Sequence, residues 1–130
     1  MLAKIFMMVS LCGISILSAG KATPYSPDYQ RCLDRSDGVT VSMRQCIADE
    51  LHLQDLRLNR YYKRVMSRLT GEQKGRLREA QRLWIRYRDA NCGFYGGLTG
   101  GSMDIILAGD CTLEMTANRA TELRNMMDML

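Results

Sequence analysis

Two prolines, one histidine and one tryptophan are all that this chain of 130 residues holds of those types, and each scarcity excludes something. Pro24 and Pro27 both fall within Thr23–Asp28, which reads as an extended lead-in. His52 lies between Leu51 and Leu53 in a charge-rich stretch away from every cysteine, so it is expected at the surface and supports neither a general base nor a zinc site. No G-x-S-x-G elbow, P-loop or H-E-x-x-H motif occurs. The acidic pair Asp49-Glu50 does not converge on a substrate, because neighbouring helical residues point about 100° apart. It reads as solvated surface. Charge of one sign is lacking too. Eighteen basic residues face fourteen acidic ones, a formal +4, and the signs are mixed along the sequence. That is no footprint for nucleic acid, although weak attraction to anionic envelope polymers is compatible with it.

Long apolar runs are missing after the N-terminus. Lys4 forms a short positive region, Ile5 to Leu17 an apolar one, and Ser18-Ala19-Gly20 supplies the small residues of a cleavage site. The run falls short of the roughly 20 residues that span a bilayer. Residues 1–20 are therefore expected to be a signal peptide, 21–27 the lead-in and 28–130 one domain, periplasmic or secreted. No stable membrane insertion is expected after cleavage. Cys12 follows Leu11 only midway through the apolar run, so it reads as filler that leaves with the signal, lipidation being the alternative.

Without Cys12, four cysteines remain: Cys32, Cys46, Cys92 and Cys111. Their spacings of 14, 46 and 19 include no C-x-x-C pair, which favours disulfides over metal in an oxidising compartment. No metal or cofactor is expected. Three pairings are open. The choice here is Cys32–Cys46 and Cys92–Cys111, which joins sequence neighbours.

The rest of the pattern is helical. A short helix is expected over 28–34, then a turn at Ser36-Asp37-Gly38 and a long helix over 41–69 capped by Thr40. Ile47, Leu51, Leu58, Tyr62, Val65 and Leu69 form its inner stripe. Thr70 and Gln73 fit a capping box that opens a helix over 72–91, with Leu77, Ala80, Trp84, Tyr87 and Asn91 inward. A connection this short implies an antiparallel hairpin. Five glycines in residues 93–102 then mark a long loop between Cys92 and Cys111, with a short helical turn over Ile105 to Ala108 as one reading inside it. A last helix is expected over 111–129, with Asp110 as its cap. The fold class is all-α: a small bundle of three main helices plus a short N-terminal one, stapled by two disulfides.

The most specific pattern is Gln81-x-x-Trp84-x-x-Tyr87-Arg88-Asp89-x-x-Cys92. It is preceded by Leu58-Asn59-x-x-Tyr62 and followed by Gly101-Ser102, Cys111 and Arg119. Gln81, Trp84, Arg88 and Cys92 share one helix face, where the indole anchors the core and the polar groups need partners, with Asn59, Asp55 or Asp89 as candidates. This combination resembles the LprI-type lysozyme-inhibitor domain of bacterial envelope proteins, over about residues 28–125. The resemblance implies a secreted or periplasmic helical domain and, for some members, inhibition of lysozyme that protects peptidoglycan. It carries over Asn59, Tyr62, Gln81, Trp84, Arg88, Asp89 and the four cysteines as structural determinants. Larger members extend further at the C-terminus, so an activity that depends on that extension is not expected here.

The expected partner is thus a protein, with lysozyme as the candidate, and the chain is not expected to be an enzyme. A rigid loop bracketed by a disulfide suits entry into a cleft. Phe94 and Tyr95 would anchor it, while Gly97, Gly101 and Ser102 allow close backbone approach. The competing reading has both aromatics packing over helix ends. Electrostatics do not help, since a mildly basic chain is not steered toward a cationic lysozyme. The alternative function is an envelope interaction module, such as an immunity protein or an accessory of a secretion system.

Overall fold

The computed structural model describes residues 24–130, so the expected signal peptide over 1–20, with Cys12, lies outside the described residues. Four helices follow in order: α1 Pro27–Ser36, α2 Thr40–Arg68, α3 Gly71–Tyr95 and α4 Met103–Met127. No strand occurs among the described residues. Ser26 opens α1 by accepting a hydrogen bond from the Tyr29 amide, and Pro27 occupies the first turn, where its missing N–H costs nothing. Asp37 and Gly38, at φ 48° and 73°, make the left-handed turn out of α1. Val39 rather than Thr40 caps α2, with no side-chain hydrogen bond. The Thr70–Gln73 capping box is complete: the Thr70 amide donates to Gln73 Oε1 at 2.9 Å, and Thr70 Oγ1 accepts from the Gln73 amide at 3.4 Å.

Two expectations about helix ends are corrected. α3 continues through Gly93 to Tyr95, and α4 begins at Met103, not at Cys111, so Asp110 lies inside a helix and caps nothing. The loop shrinks to residues 96–102. Gly109 lies inside α4. A helical glycine costs about 1 kcal/mol relative to alanine and reads as a break. Here a Cβ at position 109 would stand 3.2 Å from Ile47 Cγ2, a tight contact that the glycine avoids where α4 meets α2.

α4 is the shared packing partner. It runs parallel to α2, with Gly109 beside Ile47, Ala120 and Leu123 clustered with Leu58, and Arg68 Nη1 donating to the Met127 carbonyl at 3.2 Å. It runs antiparallel to α3. Ala117, Ala120 and Leu123 are fully buried along it. α2 and α3 are joined by a tight turn and run in opposite directions, yet they pack on α4 rather than on each other. Core residues gather in two clusters. Tyr29, Cys46, Ile47, Ile106 and Leu113 sit at the α1 end, and Leu58, Ala120 and Leu123 sit at the other with Trp84 and Tyr62 against them. The disulfides pair as expected, Cys32–Cys46 tying α1 to α2 and Cys92–Cys111 tying α3 to α4, with Cα separations of 5.7 and 5.4 Å.

The acidic pair splits. Asp49 is exposed, but Glu50 is 2% exposed and is no part of a solvated face. Its carboxylate accepts from the Ser26 amide at 2.9 Å, the Ser26 hydroxyl at 2.5 Å and Gln54 Nε2 at 2.7 Å. Gln54 passes the network on, donating to the Pro24 carbonyl and accepting from Arg57, whose other nitrogen donates to Thr121 on α4. One buried carboxylate therefore ties the lead-in to α2, and its neighbours carry the link to α4. Burial also pushes the Tyr29 phenol well up, with the Asp110 carboxylate adding to it; the hydroxyl donates to Asp110 Oδ1 at 3.3 Å.

Replacing Glu50 with alanine strands the Ser26 and Gln54 donors in a buried site. Loss of a buried partner of this kind costs on the order of 2 kcal/mol. Urea unfolding of Glu50→Ala is expected to show that loss, with a smaller one for Glu50→Gln, which keeps one acceptor oxygen.

Candidate functional site

Two features gather the residues singled out in the sequence. The first is a groove. Because α2 and α3 rest on α4 without closing on each other, a space of about 330 Å³ opens between them. Asp55, Asn59 and Tyr62 form its α2 wall, Arg78, Arg82 and Arg88 its α3 wall, and Leu58, Gln81 and Trp84 line it between them. Asn59, Tyr62, Gln81, Trp84 and Arg88 thus meet around one opening, although they lie up to 29 positions apart. Only Gln81 among these five is buried. Asp89, next in sequence to Arg88, is exposed and not in the lining.

The partners differ in part from those expected. Gln81 Oε1 accepts from Arg119 Nε at 3.0 Å, and neither Asn59 nor Asp55 is its partner. Asn59 donates instead to Asp55 Oδ2 at 3.2 Å, within its own helix. Arg88 donates to Asp89 Oδ1 from Nε and from Nη2, at 2.9 and 2.8 Å, and to the buried Thr116 hydroxyl of α4 at 3.3 Å. The guanidiniums of Arg88 and Arg119 lie 5.1 and 6.0 Å from the Trp84 ring centroid, within cation–π range. The indole is therefore held by two cations that are themselves fixed by hydrogen bonds. Tyr87 and Ala80, expected inward, are exposed, because α4 covers α3 on the Gln81–Cys92 side alone.

The second feature is the tip between α3 and α4. Phe94 and Tyr95 lie in the last turn of α3, not in the loop, with rings edge to face at 5.6 Å. Phe94 is 65% exposed, whereas Tyr95 is half-buried. The packing-only reading thus fits Tyr95 and not Phe94. Gly97, Gly101 and Ser102 lie in the exposed loop. The sequence reading missed three further exposed apolar side chains here, Leu98, Met103 and Ile105. Their apolar character was visible, but their placement depended on where α4 begins.

Asp104 orders this loop. Its carboxylate accepts from the Thr99 hydroxyl at 2.7 Å, the Thr99 amide at 3.0 Å and the Gly100 amide at 2.8 Å. Gly100 takes φ +77°, a value that L side chains rarely adopt, which explains one of the five glycines. Cys92–Cys111 ties the two helices together behind the loop. The tip is rigid at both levels.

No group of three His, Cys, Asp or Glu side chains able to hold a metal occurs among the described residues. His52 is exposed. No helix among the described residues is long and apolar enough to cross a membrane.

Fold and crosslinks define the class, a small all-helical domain stapled by two disulfides. The family model described as lysozyme inhibitor LprI matches residues 32–123, and the chain belongs to that family. An uncharacterized protein of Rhizobium meliloti (strain 1021) is 28% identical over 116 aligned positions, which cover 78% of this chain and 80% of that one. No solved structure matches the chain.

Hydrogen bonds from the Thr99 hydroxyl and from the Thr99 and Gly100 amides hold the Asp104 carboxyl below its usual 3.8. A group whose pKa falls on folding contributes stability above its unfolded value and loses it as pH drops through the folded one. The Thr99 and Gly100 amide resonances are therefore expected to titrate with a midpoint below 3.8. Asp104→Asn should abolish that titration and speed hydrogen exchange at both amides at neutral pH.

Proposed function

We propose that this protein is an extracytoplasmic lysozyme inhibitor that acts by occupation, with the α3–α4 tip as the part that enters the enzyme. Family membership supports the inhibitor-like role. One observation selects the surface: Phe94, Leu98, Met103 and Ile105 stand exposed on a hairpin that is stapled behind by Cys92–Cys111 and ordered within by Asp104. Exposed apolar side chains on a pre-ordered segment are the usual anchors of a protein interface, because little ordering entropy remains to be lost on binding. A lysozyme cleft is lined by carboxylates that cleave a glycoside and is shaped for a sugar chain. An aromatic anchor beside glycine backbone fits such a cleft without opposing charge. The signal peptide that the sequence leads one to expect over residues 1–20, together with the two disulfides, supports work in the envelope, where the inhibitor would shield peptidoglycan.

Purified, disulfide-bonded protein titrated into c-, g- and i-type lysozymes, read by cell-wall lysis, is expected to inhibit at least one type. Phe94→Ser combined with Leu98→Ser should raise the half-inhibitory concentration at least tenfold, which corresponds to about 1.4 kcal/mol of binding, and leave the melting temperature unchanged. Absence of inhibition at large molar excess for all three types would refute the reading. The tip would then belong to an envelope interaction module with another partner.

A further inference from the structure

We propose that the groove between α2 and α3 binds a small carboxylate-bearing ligand, at a site separate from the tip. The first support is exposure. Side chains that merely lock helices together fill the space between them, but here Asn59 is exposed, and Trp84 and Arg88 are only partly buried around an opening of about 330 Å³. That volume lies in the range of small-molecule sites and suits a ligand the size of one sugar or a dipeptide.

Charge and hydrogen-bonding capacity set the ligand class. The walls carry three guanidiniums, of Arg78, Arg82 and Arg88, against one carboxylate, Asp55, which is itself bonded to Asn59. Arg88 is engaged by Asp89 and Thr116, and Arg82 reaches Glu79 only at 3.8 Å. Arg78 makes no ion pair or side-chain hydrogen bond among the described residues, and neither does the Tyr62 hydroxyl. Donors therefore outnumber acceptors, and the vacant capacity is cationic. A carboxylate is planar and acceptor-only, and it matches the fork of a guanidinium. Arg78 and Arg82 stand one turn apart on α3, so both forks reach toward one bound group. The floor is ready-made: Gln81 and Trp84 are fixed by Arg119 and Arg88 before any ligand arrives.

Trp84 is the only tryptophan in the chain, so its fluorescence reports this groove directly. Two carboxylates distinguish the sources of the ligand, N-acetylmuramate for a sugar acid and N-acetylglutamate for a peptide acid. N-acetylglucosamine and N-acetylglutamine serve as their neutral counterparts. Titrated into the full-length, disulfide-bonded protein, at least one carboxylate is expected to change the Trp84 emission saturably below about 10 mM, and its neutral counterpart is not. The double variant Arg78→Gln, Arg82→Gln should weaken that response at least tenfold without lowering the melting temperature, since both side chains are exposed. Phe94→Ser should leave it unchanged, which separates this site from the inhibitory tip whatever the lysozyme assay gives. Three results would overturn the proposal: no saturable response to either carboxylate, equal response to a neutral counterpart, or an undiminished response in the double variant.

Discussion

Everything in this molecule depends on how closely two helices approach a third. Ala117 and Ala120 of α4 are fully buried, and Gly109 meets Ile47 where an added methyl carbon would stand only 3.2 Å away. Small residues along α4 bring α2 and α3 down onto it, one on each side, with helix axes set close enough for the larger side chains to interlock. The α2–α3 pair is then left apart. The groove is a by-product of that geometry, and so is the tip, because α3 and α4 run together beyond the disulfide before they turn.

Polar groups take on the work that a core of this size leaves undone. A domain of about a hundred residues buries a modest apolar area, and here several contacts between elements are charged or amide groups. Glu50 ties the lead-in to α2, and Gln54 and Arg57 extend that link to Thr121 on α4. On the other side of α4, Gln81, Arg88 and Arg119 join α3 to it around the indole of Trp84. Such groups are costly when unpaired, so each fixes a register between helices as well as contributing to stability.

Much of the fold was legible in the sequence, for identifiable reasons. Thr70 and Gln73 are side chains with one local job, and they do it where expected. The cysteine pairing chosen among three is the one the structure has, because here neighbours in sequence are also neighbours across a turn. Helix ends near glycine were not legible. Gly93 read as part of a loop, but local propensity of about 1 kcal/mol is outweighed when the flanking residues are packed and crosslinked. Glu50 was misread because burial of a carboxylate depends on Ser26, which arrives from another segment. Gln81, Trp84, Arg88 and Cys92 were grouped correctly on one helix face and Tyr87 was not, whereas the opening that the motif residues share depends on how far apart α2 and α3 stand. Arg78 and Arg82 carried no signal at all, since an exposed arginine on a basic helix looks like any other until the opposite wall is in place.

The position of the second disulfide has a mechanical consequence. Cys92 lies one turn inside the end of α3, and Cys111 about two turns inside α4. Force applied at the tip is therefore carried between the two helices at the crosslink before it reaches the aromatic floor of the groove. The seven residues that join α3 to α4 are relieved of any structural duty beyond closing the chain onto Asp104. Within it, Thr99 and Gly100 are tied to Asp104 and Gly100 needs a left-handed backbone, whereas the remaining side chains stand exposed, so substitutions among those are expected to leave the bundle behind them unchanged.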